Sequence, residues 1–326
     1  MRPFSYLRAG SADEAVAALR SDARVMAGGT TLYDLMKLGV ERPDRIVDIG
    51  RLPLDDVTVE DETLVLGALV RMSDAAEHRA VTTDFPALSE ALWKAASQQL
   101  RNMASLGGNL LQRTRCAYFR HGAPHACNKR APGSGCAAID GLNRNHALFG
   151  GSPACIATYP GDFAVALIAF DAELDVLGPD GARRMPIADL HREPGDAPER
   201  DHTLAEGEII TAIRVPHGDA ARASTYHKIH DRESYAFAVV SAAVGLAMAG
   251  DVMREARIAL GGVATTPWRA RAAERALAGR RLTPAAAREA GEVAFAGART
   301  TDHNAFKTEL GARAVADALM VARSRS

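Results

Sequence analysis

Ser105-Leu-Gly-Gly-Asn-Leu-Leu-Gln-Arg-Thr-Arg-Cys-Ala-Tyr-Phe-Arg120, then Cys127-Asn-Lys-Arg130, Gly133-Ser-Gly-Cys136 and Cys155-Ile-Ala-Thr-Tyr-Pro-Gly-Asp162, form the stretch from which this 326-residue chain is read. All four cysteines, Cys116, Cys127, Cys136 and Cys155, lie between Ser105 and Pro160, among Pro124, Pro132, Gly133, Gly135, Gly141 and Pro153. Neither a helical nor an alternating pattern runs through such a segment. A loop this long inside a compact domain needs something besides a buried apolar face to hold it, and four thiolates on a metal centre would supply that. The spacing C-x10-C-x8-C-x18-C lacks the close pairs of structural zinc hooks. Disulfide frameworks suit short secreted chains with little core, whereas 47% of these residues are hydrophobic. An iron–sulfur cluster accepts scattered cysteines, one thiolate per iron, and four unrelated buried cysteines fit the spacing equally well.

A formal net charge of −1 gives no electrostatic footprint for nucleic acid. No apolar run approaches the length of a membrane span, and Met1-Arg-Pro-Phe-Ser-Tyr lacks the apolar core of a signal peptide. The expectation is synthesis in the cytoplasm without membrane insertion, the periplasm being reached only by export together with a partner that carries a signal. The length suggests about two or three domains.

Outward from the cysteine run, Ser11 and Glu14 predict a capping box at the head of a helix over Ser11–Arg20. A strand over Ala23–Ala27 runs into Gly28-Gly29-Thr30-Thr31 and a helix ending near Gly39. Strand, glycine turn and helix together aim backbone N–H groups at a phosphate, although a tight turn needing positive φ explains the glycines as well. The G-x-G-x-x-G fingerprint of nicotinamide-binding domains is missing. Further strands are expected over Arg45–Ile49, Leu64–Ala68, Leu174–Leu177, Arg183–Ile187 and Glu208–Val215. One helix is expected over Phe85–Arg101, with Leu88, Leu92 and Ala95 inward and Trp93 packed. Gly107-Gly108-Asn109 offers close backbone approach and an amide for a ring edge. Asp162 reads as the cap of an apolar helix over Phe163–Phe170, and Glu193–Asp201 as a surface loop. Ser224–His230 alternates like a strand; Lys228 there reads as a solvated charge, and His227 and His230 as structural. Apolar and alternating strands over Phe237–Met248 and Met253–Leu260 precede helices over Trp268–Leu277, Pro284–Gly297 and His303–Ala322, an α+β texture.

The quoted cysteine stretch, together with Val25-Met-Ala-Gly-Gly-Thr-Thr-Leu-Tyr33, resembles the FAD-binding (medium) subunit of the xanthine dehydrogenase, or molybdenum hydroxylase, family. Within it the chain is most similar to periplasmic aldehyde oxidoreductases, whose FAD subunit carries an additional [4Fe-4S] cluster in an inserted loop. The resemblance implies an α+β fold. A two-part FAD-binding domain of the PCMH/vanillyl-alcohol-oxidase type would span 1–218, with subdomains of about 1–55 and 56–218 and a cluster loop over 113–158. An α+β C-terminal domain of the CO dehydrogenase flavoprotein type would span 219–326. It further implies FAD contacts from Met26, Ala27, Gly28, Gly29, Thr30, Thr31 and Leu32 in a pyrophosphate loop, where Thr31 stands in place of the Asp of many relatives. Ser105, Gly108, Asn109 and Thr114 would serve a second flavin loop, Asp162 the nucleotide, Ile210 (beside Ile209) the ring face, and Lys228 the ring itself. Cys116, Cys127, Cys136 and Cys155 would ligate the cluster, with Lys129 and Arg130 raising its potential by charge. Substrate, an aldehyde or N-heterocycle, would be oxidised on a large molybdopterin-binding partner. Electrons would pass through a small [2Fe-2S] subunit to this chain and on to an external acceptor, and no residue here would be catalytic toward substrate. A zinc-braced scaffold on the flavin fold, without redox work, is the rival.

Overall fold

The computed structural model describes residues 1–19, 22–122 and 124–326; Arg20, the expected end of the first helix, lies outside them. Strands Ser5–Arg8, Arg45–Asp48 and Ala23–Met26 form, in that order, a parallel sheet. Parallel neighbours need crossovers, and helices Ala12–Ala18 and Leu32–Lys37 lie on them. The first helix starts as its sequence predicts: Ser11 Oγ accepts from the Glu14 N–H at 3.1 Å. The Glu14 carboxylate reaches back to the Gly10 N–H at 2.7 Å, one residue earlier than in the usual box.

A second, antiparallel sheet runs Val57–Glu60, Thr63–Gly67, Ile209–Pro216, Glu173–Gly178 and Gly181–Pro186. The third, also antiparallel, runs Trp268–Arg269, Val252–Gly261, Val240–Ala249 and Ser224–Ile229. Between these two sheets lies the largest core, built around helices Pro86–Trp93 and Phe163–Ala169. Every residue of Phe163–Ala169 is buried, which is why the segment has no polar face to show in sequence. A further core packs helices Arg271–Leu277, Pro284–Phe295 and Phe306–Arg323 onto the third sheet. The strand Val240–Ala249 is thus covered on both sides, and its first eight residues are all buried. A strand with two buried faces cannot alternate.

Three local expectations fail for identifiable reasons. The helix expected over Phe85–Arg101 is two, Pro86–Trp93 and Gln98–Arg101, because Ala96 takes φ +48° and Ser97 recaps the chain. Trp93, read as core or interface packing, is not in the core: it is exposed, with the Arg101 guanidinium 5.0 Å from its ring centroid. Trp268 and Arg269 extend the third sheet by pairing with Leu260 and Ala259, so the helix begins only at Arg271.

The cysteine run is irregular apart from one helical turn, Ala117–Arg120, and a backbone bridge between Cys127 and Cys136. Polar contacts tie it down from two sides. Arg113 reaches Glu41 and Asp201, both at 2.6 Å, and Lys129 Nζ lies 2.5 Å from Asp201. From the C-terminal region, Thr301 Oγ1 and the His303 N–H donate to Asn143 Oδ1 at 2.8 and 3.1 Å. The loop over Glu193–Asp201 is therefore a clamp on the cysteine run at its far end.

Candidate functional site

A cleft of about 1500 Å³ opens where the parallel sheet, the five-stranded sheet and the C-terminal region meet. That exceeds the roughly 300–1000 Å³ of ordinary small-ligand sites and suits something as long as a dinucleotide. Met26, Ala27, Gly28, Gly29, Thr30, Thr31, Leu32, Ser105, Gly108, Asn109, Asp162 and Ile210 all line it, as does Ile209. Backbone packing brings the two glycine turns together. A Cβ on Gly28 would sit 1.9 Å from the Met103 carbonyl oxygen, so only glycine lets these segments touch. Ser105 Oγ accepts from the Gly108 N–H at 3.3 Å, and the Gly107 N–H donates to Ala68 O at 2.8 Å, closing the second turn. Asn109 Oδ1 is buried without a hydrogen-bond partner, and its Nδ2 meets only the Met72 sulfur at 3.4 Å. An orphaned amide oxygen is costly in a folded interior, and a ligand donor would relieve it.

Two expected flavin contacts are placed elsewhere. Lys228 does not line the cleft; it lies beneath Asp162, its side chain only 1% exposed, with Nζ 2.8 Å from Asp162 Oδ2 and 2.8 Å from Lys94 O. It is not a solvated charge. Asp162 makes no side-chain cap bond to the helix it precedes. Its other oxygen accepts from the Tyr226 hydroxyl at 2.6 Å, and that hydroxyl lies 2.8 Å from Ser241 Oγ. Burial, then the Asp162 charge, pushes the Tyr226 pKa well up, so the phenol keeps the proton it donates. Thr114 does not line the cleft either: its hydroxyl donates to Thr158 O at 2.9 Å and accepts from the Cys116 N–H. Thr158, at the other end of the cysteine run, lines the cleft instead. The run leaves the cleft wall after Arg120 and returns to it at Leu142.

His191 braces the cleft floor, with Nε2 donating to Leu110 O at 2.9 Å and its ring against Tyr159. Burial pushes its pKa down to about 4, from an ordinary 6.5. Above pH 6.5 the ring is neutral whether the chain is folded or not. As pH falls from 6.5 toward 4 the unfolded chain takes a proton that the folded one refuses, and stability declines. Thermal melts are expected to show this loss across that window, and His191→Gln to remove part of it, because burial also lowers the pKa of His146, His202 and His227.

All four cysteines line one small cavity of about 10 Å³, together with Tyr118, Phe119 and Lys129. None is in a disulfide. Cys116 also lines the large cleft, so it stands in the wall between the two spaces. Burial, with repulsion from Cys127 and Cys155, pushes the Cys116 thiol up to about 11, and burial likewise raises Cys155. These sulfurs hold their protons unless a cation displaces them. Among the described residues, no group of three or more His, Cys, Asp or Glu is gathered tightly enough to hold a single metal ion. The basic pair makes its own contacts in the run. Lys129 pairs with Asp201 and its charge still pulls the Cys155 thiol down, while Arg130 donates to the Tyr118 and Phe119 carbonyls at 2.6 and 2.9 Å and to that of His125. His146, Arg115 and Thr158 belong to the cleft wall without any signal in their spacing.

Residues 2–218 match the model of the FAD binding domain in molybdopterin dehydrogenase, and residues 224–320 that of the CO dehydrogenase flavoprotein C-terminal domain. The chain belongs to the molybdopterin dehydrogenase flavoprotein family. It is 43% identical, over the full length of both chains, to the aldehyde oxidoreductase FAD-binding subunit PaoB of Escherichia coli (strain K12). To the carbon monoxide dehydrogenase medium chain of Hydrogenophaga pseudoflava it is 28% identical, over 90% of this chain and 86% of that one. A solved carbon monoxide dehydrogenase from the same organism, lacking the Mo-pyranopterin moiety, superposes with a TM-score of 0.77, covering 99% of this chain and 98% of that one at 28% identity. Quinoline 2-oxidoreductase from Pseudomonas putida 86, at 22% identity and a TM-score of 0.77 over 99% and 98% of the two chains, shares the fold. The cleft of this flavoprotein subunit fits FAD on its own chemistry: two abutting glycine turns give backbone approach, and Asn109 lacks the partner that a polar ligand edge would provide.

Proposed function

We propose that this flavoprotein subunit carries FAD and a [4Fe-4S] cluster side by side and relays electrons within a molybdenum-dependent aldehyde oxidoreductase. A small [2Fe-2S] subunit would deliver electrons from a large molybdopterin-binding subunit, and an external acceptor would remove them. The observation that carries the reading is Cys116, one of four free cysteines on a single cavity and at the same time part of the flavin cleft wall. The 43% identity to an aldehyde oxidoreductase FAD-binding subunit supports the substrate class. Bound in the cleft, FAD supplies the capacity to hold electrons singly or in pairs. The chain's own part is to exclude water and fix distances. Gly28 and Met103 lock the two turns together, Asp162 is held from below by Lys228 and Tyr226, and Arg113 and Lys129 anchor the cysteine run through Asp201. The rival, a zinc-braced scaffold on the flavin fold, would draw on the same four cysteines, and metal analysis of the purified complex separates the two.

Cys127→Ser in the co-expressed complex is expected to lose the cluster while retaining FAD. If the cluster conducts, the rate of flavin reduction by aldehyde, or of its reoxidation by acceptor, falls at least about ten-fold in stopped flow, a barrier increase of about 1.4 kcal/mol. Unchanged rates in an iron-depleted variant would show that the cluster only braces the loop.

A further inference from the structure

His146 lies between the two spaces of the site. It lines the flavin cleft, is 5% exposed, and points Nε2 at the Cys116 sulfur, 3.3 Å away. Its other ring nitrogen, Nδ1, is buried with no partner. A protonated Cys116 can donate its S–H to Nε2, but a metal-bound thiolate has no proton to give, and against it only the tautomer with the proton on Nε2 makes this contact attractive. The ring is also held from behind. Asn304 Nδ2 and Lys307 Nζ, both on fully buried residues of the C-terminal region, donate to the His146 carbonyl at 3.4 and 3.3 Å. Asn304 Nδ2 further reaches Ala147 O, and Lys307 Nζ reaches Gly262 O at 2.8 Å. Two buried side chains thus fix the backbone from which the imidazole projects.

We infer that His146 sets the reduction potential of the cysteine centre by donating an Nε2–H···S hydrogen bond to Cys116. This rests on the cluster reading proposed above. A hydrogen bond to a ligating sulfur withdraws electron density and favours the more negative, reduced cluster, so the donor raises the potential. The effect falls on the ligand that faces the flavin, where it tunes the exchange between the two centres. His146 is a positioning and tuning residue and touches no substrate.

The test uses His146→Leu and His146→Gln in the anaerobically purified complex. Iron and acid-labile sulfide are measured first, followed by a redox titration monitored by electron paramagnetic resonance. Both variants are expected to keep wild-type iron. The leucine variant should show a reduction equilibrium constant lowered about ten-fold, ~59 mV for a one-electron couple, and glutamine, which retains an N–H donor, should restore most of it. A leucine variant at the wild-type potential would overturn the inference and leave the cluster intact as a proposal. Loss of the cluster from both variants would also overturn it, because His146 would then be a ligand or a structural prop. Wild-type complex without this iron would overturn both the inference and the reading beneath it.

Discussion

Lys228→Met is expected to destabilise the subunit by about 3–5 kcal/mol, the usual consequence of removing one partner from a buried ion pair. The Asp162 carboxylate, 4% exposed, would be left with only the Tyr226 hydroxyl, and the Lys94 carbonyl would lose its donor. Because the cost comes from an uncompensated charge, Lys228→Met combined with Asp162→Asn should recover much of it. Denaturant melts of the apo and FAD-loaded subunit measure both. The same variant separates two roles for this lysine. A stability loss equal in the two forms fits its position below the cleft floor, whereas FAD loss at unchanged stability would restore the flavin contact that the family resemblance implied.

The second large effect is expected at Gly28. Alanine there would put a methyl carbon 1.9 Å from the Met103 oxygen and 2.7 Å from its carbonyl carbon. No rotamer change relieves a clash with backbone, so the two turns must separate. Overpacking of this kind costs about 1–3 kcal/mol in a side-chain core and more where backbone has to move. FAD affinity should fall at least ten-fold, about 1.4 kcal/mol, since both loops lining the cleft shift together. Fluorescence-detected FAD titration reads the loss, and Gly133→Ala serves as a control, because a Cβ there meets nothing within 4 Å although its φ of +83° adds some strain. Equal affinities in the two variants would mean that the contact between the turns does not shape the cleft.

Much of the fold was legible because periodicity follows burial. The alternation over Ser224–His230 and the apolar run over Phe237–Met248 appear as paired strands, and the capping box at Ser11 starts its helix. What sequence could not show depended on contacts distant along the chain. The break at Ala96 requires a positive φ that alanine does not advertise. Asp162 carried every mark of a helix cap; only the folding of Tyr226 and Lys228, more than sixty residues later, draws its carboxylate away. Lys129 looked like a free charge beside a cysteine until Asp201 folded over it. The two glycine turns of the cleft were legible because backbone approach demands glycine, a requirement written in residue type. His146 was not, because its relation to Cys116 is made by Asn304 and Lys307, which lie in the C-terminal region.

The most direct measurement is the FAD, iron, zinc and acid-labile sulfide content of this chain, purified anaerobically with its partners and corrected for partner clusters by the Cys127→Ser complex. FAD together with a full [4Fe-4S] complement that disappears in the variant is the predicted result. FAD with no iron beyond that of the partners, or zinc in its place, would contradict the account.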